Sequence, residues 1–478
     1  MKPNAIDKHI QSKPAIALTS QNDRFEGSLA GPVPVLPSHA HYVSVGASIF
    51  SSLLLRVASR ISFVLLGFYL GEHFTSAGVV ALVLESFYLS ELLLAPLSGS
   101  ISDRIGRKPF LLGAPMLGAL AALCLLLSTW IYPHPDARYF SIQLFFLLCL
   151  ILCGRLLEGA TTALNTPASL GYITDSTYGL PGLRTKVMTA FEVATVGGLA
   201  LAIPFGGQVS VLLGNWGFLV VMALHLCNVL VVAFFVKERQ FRTWRAKNTP
   251  SLMSSFFLLR DRHIAIFLPA WLSVNTLVGA WITLIVITLT YPNPAADLRH
   301  PHQLLYGGFG KSSATLIFGG FGLLFLLGMG LWLLVIPHLR RTTVMLIGLA
   351  GLALCIAALT AINGLAENVS SLTQETSVWL WLLLPLVMIG VLLLSGFTPV
   401  SLTQMASISE RKPDMNGSAM GLYSVVMGIG QLVGASIGGF SIDLGGFYGL
   451  MAFSAILGVC SLVSVFYMRA YRHDTIQA

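Results

Sequence analysis

Charged side chains are scarce in this sequence. Asp, Glu, Lys and Arg make up 10% of its 478 residues, whereas 55% are hydrophobic and the mean hydropathy is +0.79. Soluble globular domains carry about 25% charged residues. The scarcity of charge therefore excludes an ordinary soluble domain and indicates a polytopic membrane protein.

Cysteine is scarce as well, and its placement excludes two kinds of site. Every cysteine lies inside an apolar run, where a thiol behaves as a small hydrophobic side chain. The six are Cys124, Cys149, Cys153, Cys227, Cys355 and Cys460. Cys149 and Cys153 are four residues apart, but no His or Asp lies beside them in the sequence. We predict neither a disulfide framework nor a metal site, and no cofactor.

The hydrophobic residues fall into twelve runs, each near the ~20 residues that a helix needs to cross a bilayer. The sequence therefore predicts an all-α polytopic membrane protein with twelve transmembrane helices and both termini on one side. The predicted spans are residues 46–70, 77–98, 110–131, 141–166, 187–213, 216–236, 264–290, 314–336, 343–363, 378–405, 417–440 and 447–468.

Lysine and arginine indicate the orientation of these spans. The net charge is +8, but nearly all the cations lie in the termini and in alternate loops, which the positive-inside rule assigns to the cytoplasm. The exceptions are Arg138, Arg299 and Lys311 in predicted outer loops and Arg56, Arg60 and Arg155 within spans. We predict cytoplasmic termini in a plasma or bacterial inner membrane, and no nucleic-acid partner.

Four segments follow from this arrangement. Residues 1–45 are polar, contain proline and lack the apolar core of a signal peptide, which predicts a disordered cytoplasmic tail. Two six-helix bundles occupy residues 46–236 and 264–470. The cation-rich residues 237–263 form a cytoplasmic linker between them, either solvated or lying as an amphipathic stretch on anionic lipid.

Small residues recur at equal spacing in the fifth and eleventh spans. The two sets are Gly198, Ala202, Gly206 and Gly207 in the fifth span and, 232 residues later, Gly430, Gly434, Gly438 and Gly439 in the eleventh. This spacing indicates an internal repeat of six helices. Small residues four apart let two helices approach closely, either as a sliding contact or as a plain packing face.

A short polar stretch, GSISDRIGRKP, follows the second span and predicts a tight turn over residues 99–109. It resembles the signature G-x-L-x-D-R-x-G-R-K that the major facilitator superfamily carries between its second and third helices, with Ile101 in place of leucine. The matching residues are Gly99, Asp103, Arg104, Gly106, Arg107 and Lys108. The resemblance implies two bundles that rock around a central site. It also implies that Asp103 caps the eleventh helix near Gly417 and Ser418, as a conformational latch.

Further resemblances concern the fourth and fifth spans. Arg155 and Gly159 are similar to the R-x-x-x-G pattern of proton-coupled exporters, and Asp175 and Arg184 match the acid and arginine of the loop that follows. The antiporter pattern of the fifth span departs here, because Pro204 is displaced by one residue. On balance the pattern resembles that of drug:proton antiporters.

Seven ionisable residues other than histidine lie inside the predicted spans, all in the first six. They are Arg56, Arg60, Glu85, Glu91, Arg155, Glu158 and Glu192. Each would cost about 2.5–3.5 kcal/mol facing lipid, so we expect them to face one another or a wet cavity. Counting along the helices predicts one layer of Arg56, Glu91, Arg155 and Glu158 and a second layer of Arg60 and Glu85.

If all seven are charged, the cluster carries one net negative charge, which one proton would neutralise. Arginine keeps its proton, so a glutamate must carry the mobile one. We predict Glu158 or Glu85 as the carrier; the alternative is a static set of ion pairs between helices.

These observations predict a secondary active transporter that works by alternating access, exporting a small amphipathic molecule against protons. Trp271, Asn275 and Gln431 are candidate cavity residues. The alternatives are uptake of a small organic anion by a symporter or facilitator, and, in a different class, a non-transporting receptor or lipid sensor. We do not predict an enzyme. The expected partners are a small-molecule substrate, protons and the lipid bilayer, with the protein as a monomer.

Overall fold

The structure is a computed structural model of the whole chain. It describes residues 39–74, 76–131, 142–177, 181–237, 262–290, 303–365, 374–401, 404 and 416–470. Most of the predicted tail and linker therefore lies outside the described residues. All regular elements within these ranges are helical.

We number the helices to follow the predicted spans. In chain order they are α1 (His39–His73), α2a (Ala77–Glu85), α2b (Phe87–Ile105), α3 (Lys108–Ser128), α4 (Ile142–Ser176), α5 (Pro181–Leu213), α6 (Gly217–Phe235), α7 (Arg262–Thr290), α8 (Lys311–Val335), α9 (Arg341–Asn363), α10 (Gln374–Leu394), α11 (416–445) and α12 (447–470).

The predicted fold class is confirmed. Ten helical segments in the described residues are long and apolar enough to cross a membrane, and two of these, Leu201–Phe235 and Val425–Ala470, each include residues of two consecutive predicted spans. The chain passes from one span to the next at Gly214 (φ 53°) and Gly446 (φ 60°). Glycine suits both positions because a side chain rarely adopts positive φ.

The helix bounds differ from the predicted spans at several places, of which three bear on the site. Helix α1 begins at His39, inside the predicted tail, and α4 continues to Ser176, ten residues beyond the predicted end of the span. The second span is broken at Ser86 into α2a and α2b. Hydropathy locates the part of a helix that crosses lipid, whereas backbone hydrogen bonds continue beyond the membrane and set the actual ends.

The helices form two halves, α1–α6 and α7–α12. Within the first half, α1 packs on α5 and α6, and α3 packs on α4 and α6; within the second, α7 packs on the 416–470 segment and α9 on α10. The halves meet where α2a contacts α11 and where α5 contacts α8. We call the end with the turn at Gly106 the motif end and the end where α2a begins the opposite end.

The small residues of α11 mostly pack inside their own half. A methyl group built on Gly430 would lie 2.7 Å from Cβ of Asn275 on α7, and one on Gly438 would lie 3.0 Å from Cβ of Ala280. Gly434 meets the backbone of Thr276 on the same helix. These glycines therefore form a tight packing face against α7.

The small residues of α5 repeat this arrangement. Gly198 and Gly206 face α1, where a methyl on Gly206 would lie 3.1 Å from Cβ of Val64. Gly207 instead faces Thr315 on α8, in the other half, just as its counterpart Gly439 faces Gly78 on α2a. Equivalent glycines thus make equivalent contacts, and only the last of each set reaches across the halves.

Candidate transport site between the two halves

The break in the second span carries the centre of the site. Carbonyl groups at the end of a helix lack the usual donors from the next turn. At the end of α2a, the Ser86 hydroxyl donates to the carbonyl of Val83 at 2.7 Å. The Arg155 guanidinium on α4 donates to the carbonyl of Leu84 through Nε, at 2.8 Å, and also through Nη2. The buried Arg155 guanidinium therefore supplies hydrogen-bond donors to a carbonyl group at the interrupted end of α2a.

The charge of Arg155 is compensated on three sides. Its Nη1 forms an ion pair with Oε2 of Glu158, and both residues are only 2% exposed. The guanidinium carbon lies 4.9 Å from the ring centroid of Phe87 and 5.6 Å from that of Phe63. Aromatic faces attract a cation most strongly where water is excluded. Side chains of α1, α2b and α4 thus all contact the buried charge of Arg155.

Glu85 connects this centre to the second half. It is 2% exposed, and its Oε1 accepts a hydrogen bond from the Thr283 hydroxyl on α7. Arg60 and Arg155 are the cations that interact with its carboxyl group. In the part of the chain that the structure describes, its Oε2 has no hydrogen-bond partner. A buried polar atom left unpaired is costly, so this oxygen could accept a further hydrogen-bond donor.

A second polar contact crosses the halves about one turn away. The Tyr88 hydroxyl on α2b donates to the side-chain oxygen of Gln431 on α11. Arg60 interacts with Tyr88, Glu85 and Glu91, and its guanidinium carbon lies 5.6 Å from the Phe63 ring centroid. Arg60 therefore lies among the acidic and phenolic groups of α2.

Arg56 belongs to a different level of the bundle. Its Nη2 donates to the Thr166 hydroxyl at 3.2 Å. Thr166 lies eleven residues beyond Arg155 along α4, which corresponds to about 16 Å of helix. The predicted layers are therefore wrong in grouping Arg56 with Arg155. The counting started from residue 166, whereas α4 ends at Ser176, so Arg155 lies deeper and shares its layer with Glu85.

Of the three predicted cavity residues, only Gln431 reaches the contact between the halves. Trp271 is buried in the core of the second half, stacked on Phe267 with ring centroids 6.3 Å apart. The Asn275 amide donates to the carbonyl of Trp271 at 2.7 Å, within its own helix. The structure thus places Trp271 and Asn275 in the packing of α7. The side chain of Glu192, which is also in the predicted cluster, lies outside the described residues.

The signature residues fasten helices of the first half together. Helix α2b continues to Ile105, so the predicted tight turn is reduced to Gly106 (φ 117°) and Arg107, and Gly99 is helical. Arg107 Nε lies 3.4 Å from Oδ2 of Asp175 at the end of α4, and Lys108 donates to the carbonyl of Ala233 on α6 at 3.1 Å.

The predicted latch falls outside the part of the chain whose side chains the structure describes. It concerns Gly417 and the side chains of Asp103, Arg104 and Ser418, so the cap of the eleventh helix stays a prediction.

Sequence reasoning missed the polar contacts at the opposite end. Asp443, at the end of α11, accepts hydrogen bonds from the first residues of α2a, 366 residues away in the sequence for Ala77. Lys311 Nζ lies 2.5 Å from Oε1 of Glu72, and the Gln208 amide donates to the Ser312 hydroxyl at 2.5 Å. No periodic pattern links residues so distant, although an acid directly after an apolar span was a visible signal.

The comparisons with known proteins agree with this architecture. The sequence model of the Major Facilitator Superfamily matches residues 48–310 and 301–477. The chain therefore belongs to the Major Facilitator Superfamily and is a multi-pass membrane transporter.

Solved structures share the fold at low sequence identity. The nucleoside transporter NupG is 15% identical, with a TM-score of 0.62 over 91% of this chain and 99% of that one. The D-xylose-proton symporter is 14% identical, with a TM-score of 0.61 over 89% and 97% of the two chains. No curated protein matches the sequence.

Proposed function

We propose that this transporter is coupled to protons and that Glu85 is the residue through which a proton acts on the two halves. The observation that carries the proposal is the hydrogen bond from Thr283 to the buried carboxyl group of Glu85, because it joins a titratable group of the first half to the second half. Arg60 and Arg155 interact with the same carboxyl group.

A proton on Glu85 would change both its charge and its bonding. An ionised carboxylate only accepts hydrogen bonds, whereas a protonated one also donates. Protonation would therefore alter the contact with Thr283 and remove the negative charge that faces Arg60 and Arg155. A substrate could then interact with those cations, so proton and substrate would alternate at one site. Glu158, already paired with Arg155, is the second candidate carrier.

The walls of the site favour an amphipathic substrate. Phe63 and Phe87 present aromatic rings beside the guanidinium groups of Arg60 and Arg155. Apolar surface with a few oriented polar groups is typical of small-molecule sites. We propose export as the direction, because the Arg155 to Gly159 pattern is similar to that of proton-coupled exporters. Proton-linked uptake is the second candidate, compatible with the D-xylose-proton symporter among the structural relatives.

We further propose that the motif end faces the cytoplasm. Arg107 and Lys108 at that end follow the positive-inside bias. Both termini would then be cytoplasmic, in a plasma or bacterial inner membrane. A tail would precede α1 at His39, and a linker would join the bundle α1–α6 to the bundle α7–α12. The protein would act as a monomer.

The test begins by finding a substrate. Purified protein is screened with a panel of amphipathic compounds and organic anions for thermal stabilisation at two pH values, and the hits are assayed for flux in proteoliposomes with an imposed pH gradient. We expect Glu85→Gln to bind substrate but to lose acceleration by the gradient. The exposed Glu72→Gln is the matched control and should respond like the unaltered protein. A Glu85→Gln variant with full acceleration would contradict the proposal.

A further inference from the structure

Asp443 makes a complete cap on a helix of the other half. Its Oδ1 accepts from the backbone N–H of Ala77 at 2.7 Å, and its Oδ2 accepts from the Ser76 hydroxyl at 2.6 Å and from the N–H of Gly78 at 3.1 Å. Ser76 is also the N-cap of α2a, accepting from the N–H of Val79 at 3.2 Å. The first N–H groups of a helix lack internal partners and carry partial positive charge, so a carboxylate suits them.

The cap depends on a very close approach of the two helices. A methyl group built on Gly439 would lie 2.6 Å from Cα of Gly78, and one on Gly78 would lie 2.7 Å from Cε1 of Phe440. Glycines thus let the end of α11 rest directly on the start of α2a. If the halves separated at this end, all three bonds to Asp443 would break together.

The other polar contacts between the halves at the opposite end are of weaker types than the bonds to Asp443. Lys311 and Glu72 are 34% and 43% exposed in their side chains, and an exposed ion pair contributes little to stability. Gln208 and Ser312 are both neutral. Hydrogen bonds from neutral donors to a carboxylate are stronger than bonds between two neutral groups. Asp443 is therefore the strongest polar link described at this end.

We propose that Asp443 is a positioning residue of the transport cycle, the latch that holds the opposite end closed by capping α2a. It must release α2a each time that end opens. If Asp103 caps α11 at the motif end, the α2 and α11 pair carries one acidic cap for each closed state. The proposal requires only alternating access, so it does not depend on Glu85 or on proton coupling.

The test measures the opening of this end directly, without substrate or gradient. Spin labels are attached at Trp130→Cys in the first half and Val378→Cys in the second, both exposed near the opposite end, after replacement of the native cysteines. We expect one short distance in the parent protein. Asp443→Asn should raise the ratio of long to short distances by about tenfold, the size expected when hydrogen bonds to a charged group are weakened. Asp443→Glu should restore the short distance.

Two further variants keep the test decisive. Ser76→Ala removes one of the three bonds and should give a smaller shift in the same direction, including if Asp443→Asn does not fold. Glu72→Gln removes the exposed ion pair and should leave the distance distribution nearly unchanged. An unchanged distribution in folded Asp443→Asn, or equal shifts in Asp443→Asn and Glu72→Gln, would overturn the latch.

Discussion

The two halves share a scaffold but differ in chemistry. In the first half, buried Glu85, Arg155 and Glu158 form an ionic centre at the break in α2. The second half contributes neutral groups to the same contact: the Thr283 hydroxyl donates to Glu85, and the Gln431 side chain accepts from Tyr88. A group that gains or loses a proton at this contact would therefore belong to the first half. The partners from the second half, a hydroxyl and an amide, keep the same charge.

The scaffold itself is repeated closely. Gly206 of α5 packs against α1 and Gly438 of α11 packs against α7, so equivalent positions have equivalent partners. Gly207 and Gly439 both face the opposite half. Packing was therefore retained in both halves, while buried charge is described in one. Three substitutions test whether this division is real.

The largest effect is expected at the ionic centre. Arg155→Leu would leave Glu158 buried without its cation and the carbonyl of Leu84 without its donors, which should cost about 3–5 kcal/mol. Thermal unfolding in detergent would show this as a large fall in the midpoint or as loss of folded protein. Arg155→Lys keeps the positive charge but loses the planar guanidinium group. Its midpoint of thermal unfolding should lie between those of Arg155→Leu and the unaltered protein. An unchanged midpoint in Arg155→Leu would show that the buried ion pair does not stabilise the first half.

A medium effect is expected in the packing of the second half. A methyl group on Gly434 would lie 2.6 Å from the backbone carbon of Thr276, so Gly434→Ala should cost about 1–3 kcal/mol. Gly206→Ala in the first half meets Val64 at 3.1 Å and should cost less. Gly320→Ala has open space and serves as the control. Equal midpoints for Gly434→Ala and Gly320→Ala would show that the glycine face is not tightly packed.

The smallest effect on stability, with a specific effect on transport, is expected at the neutral partner. Thr283→Val removes the hydroxyl that bonds to Glu85 and should displace the pH profile of flux while leaving the fold intact. Thr288→Val is the matched control, since that hydroxyl is also buried but, among the described residues, bonds to the carbonyl of Leu284 on its own helix. A profile that moves equally in both variants would show that Thr283 has no special role.

Much of the fold was readable from local features. The twelve spans were predictable because the bilayer demands about 20 apolar residues from each helix, whatever the helix packs against. The signature from Gly99 to Lys108 indicated the family that the comparison with known sequences established. The pairing of Arg155 with Glu158 was within reach too, because residues three apart share a helix face.

The sequence by itself determined the number of spans, the family and the presence of buried charge, since each depends on residues close together in the chain. Only the tertiary structure decided that Arg155 lies beside Glu85 and not beside Arg56, that the glycines face α1 and α7, and that Asp443 caps α2a. Such contacts depend on where each helix ends and how it is rotated against its neighbours. Those quantities come from the packing of the whole bundle, which no local pattern records.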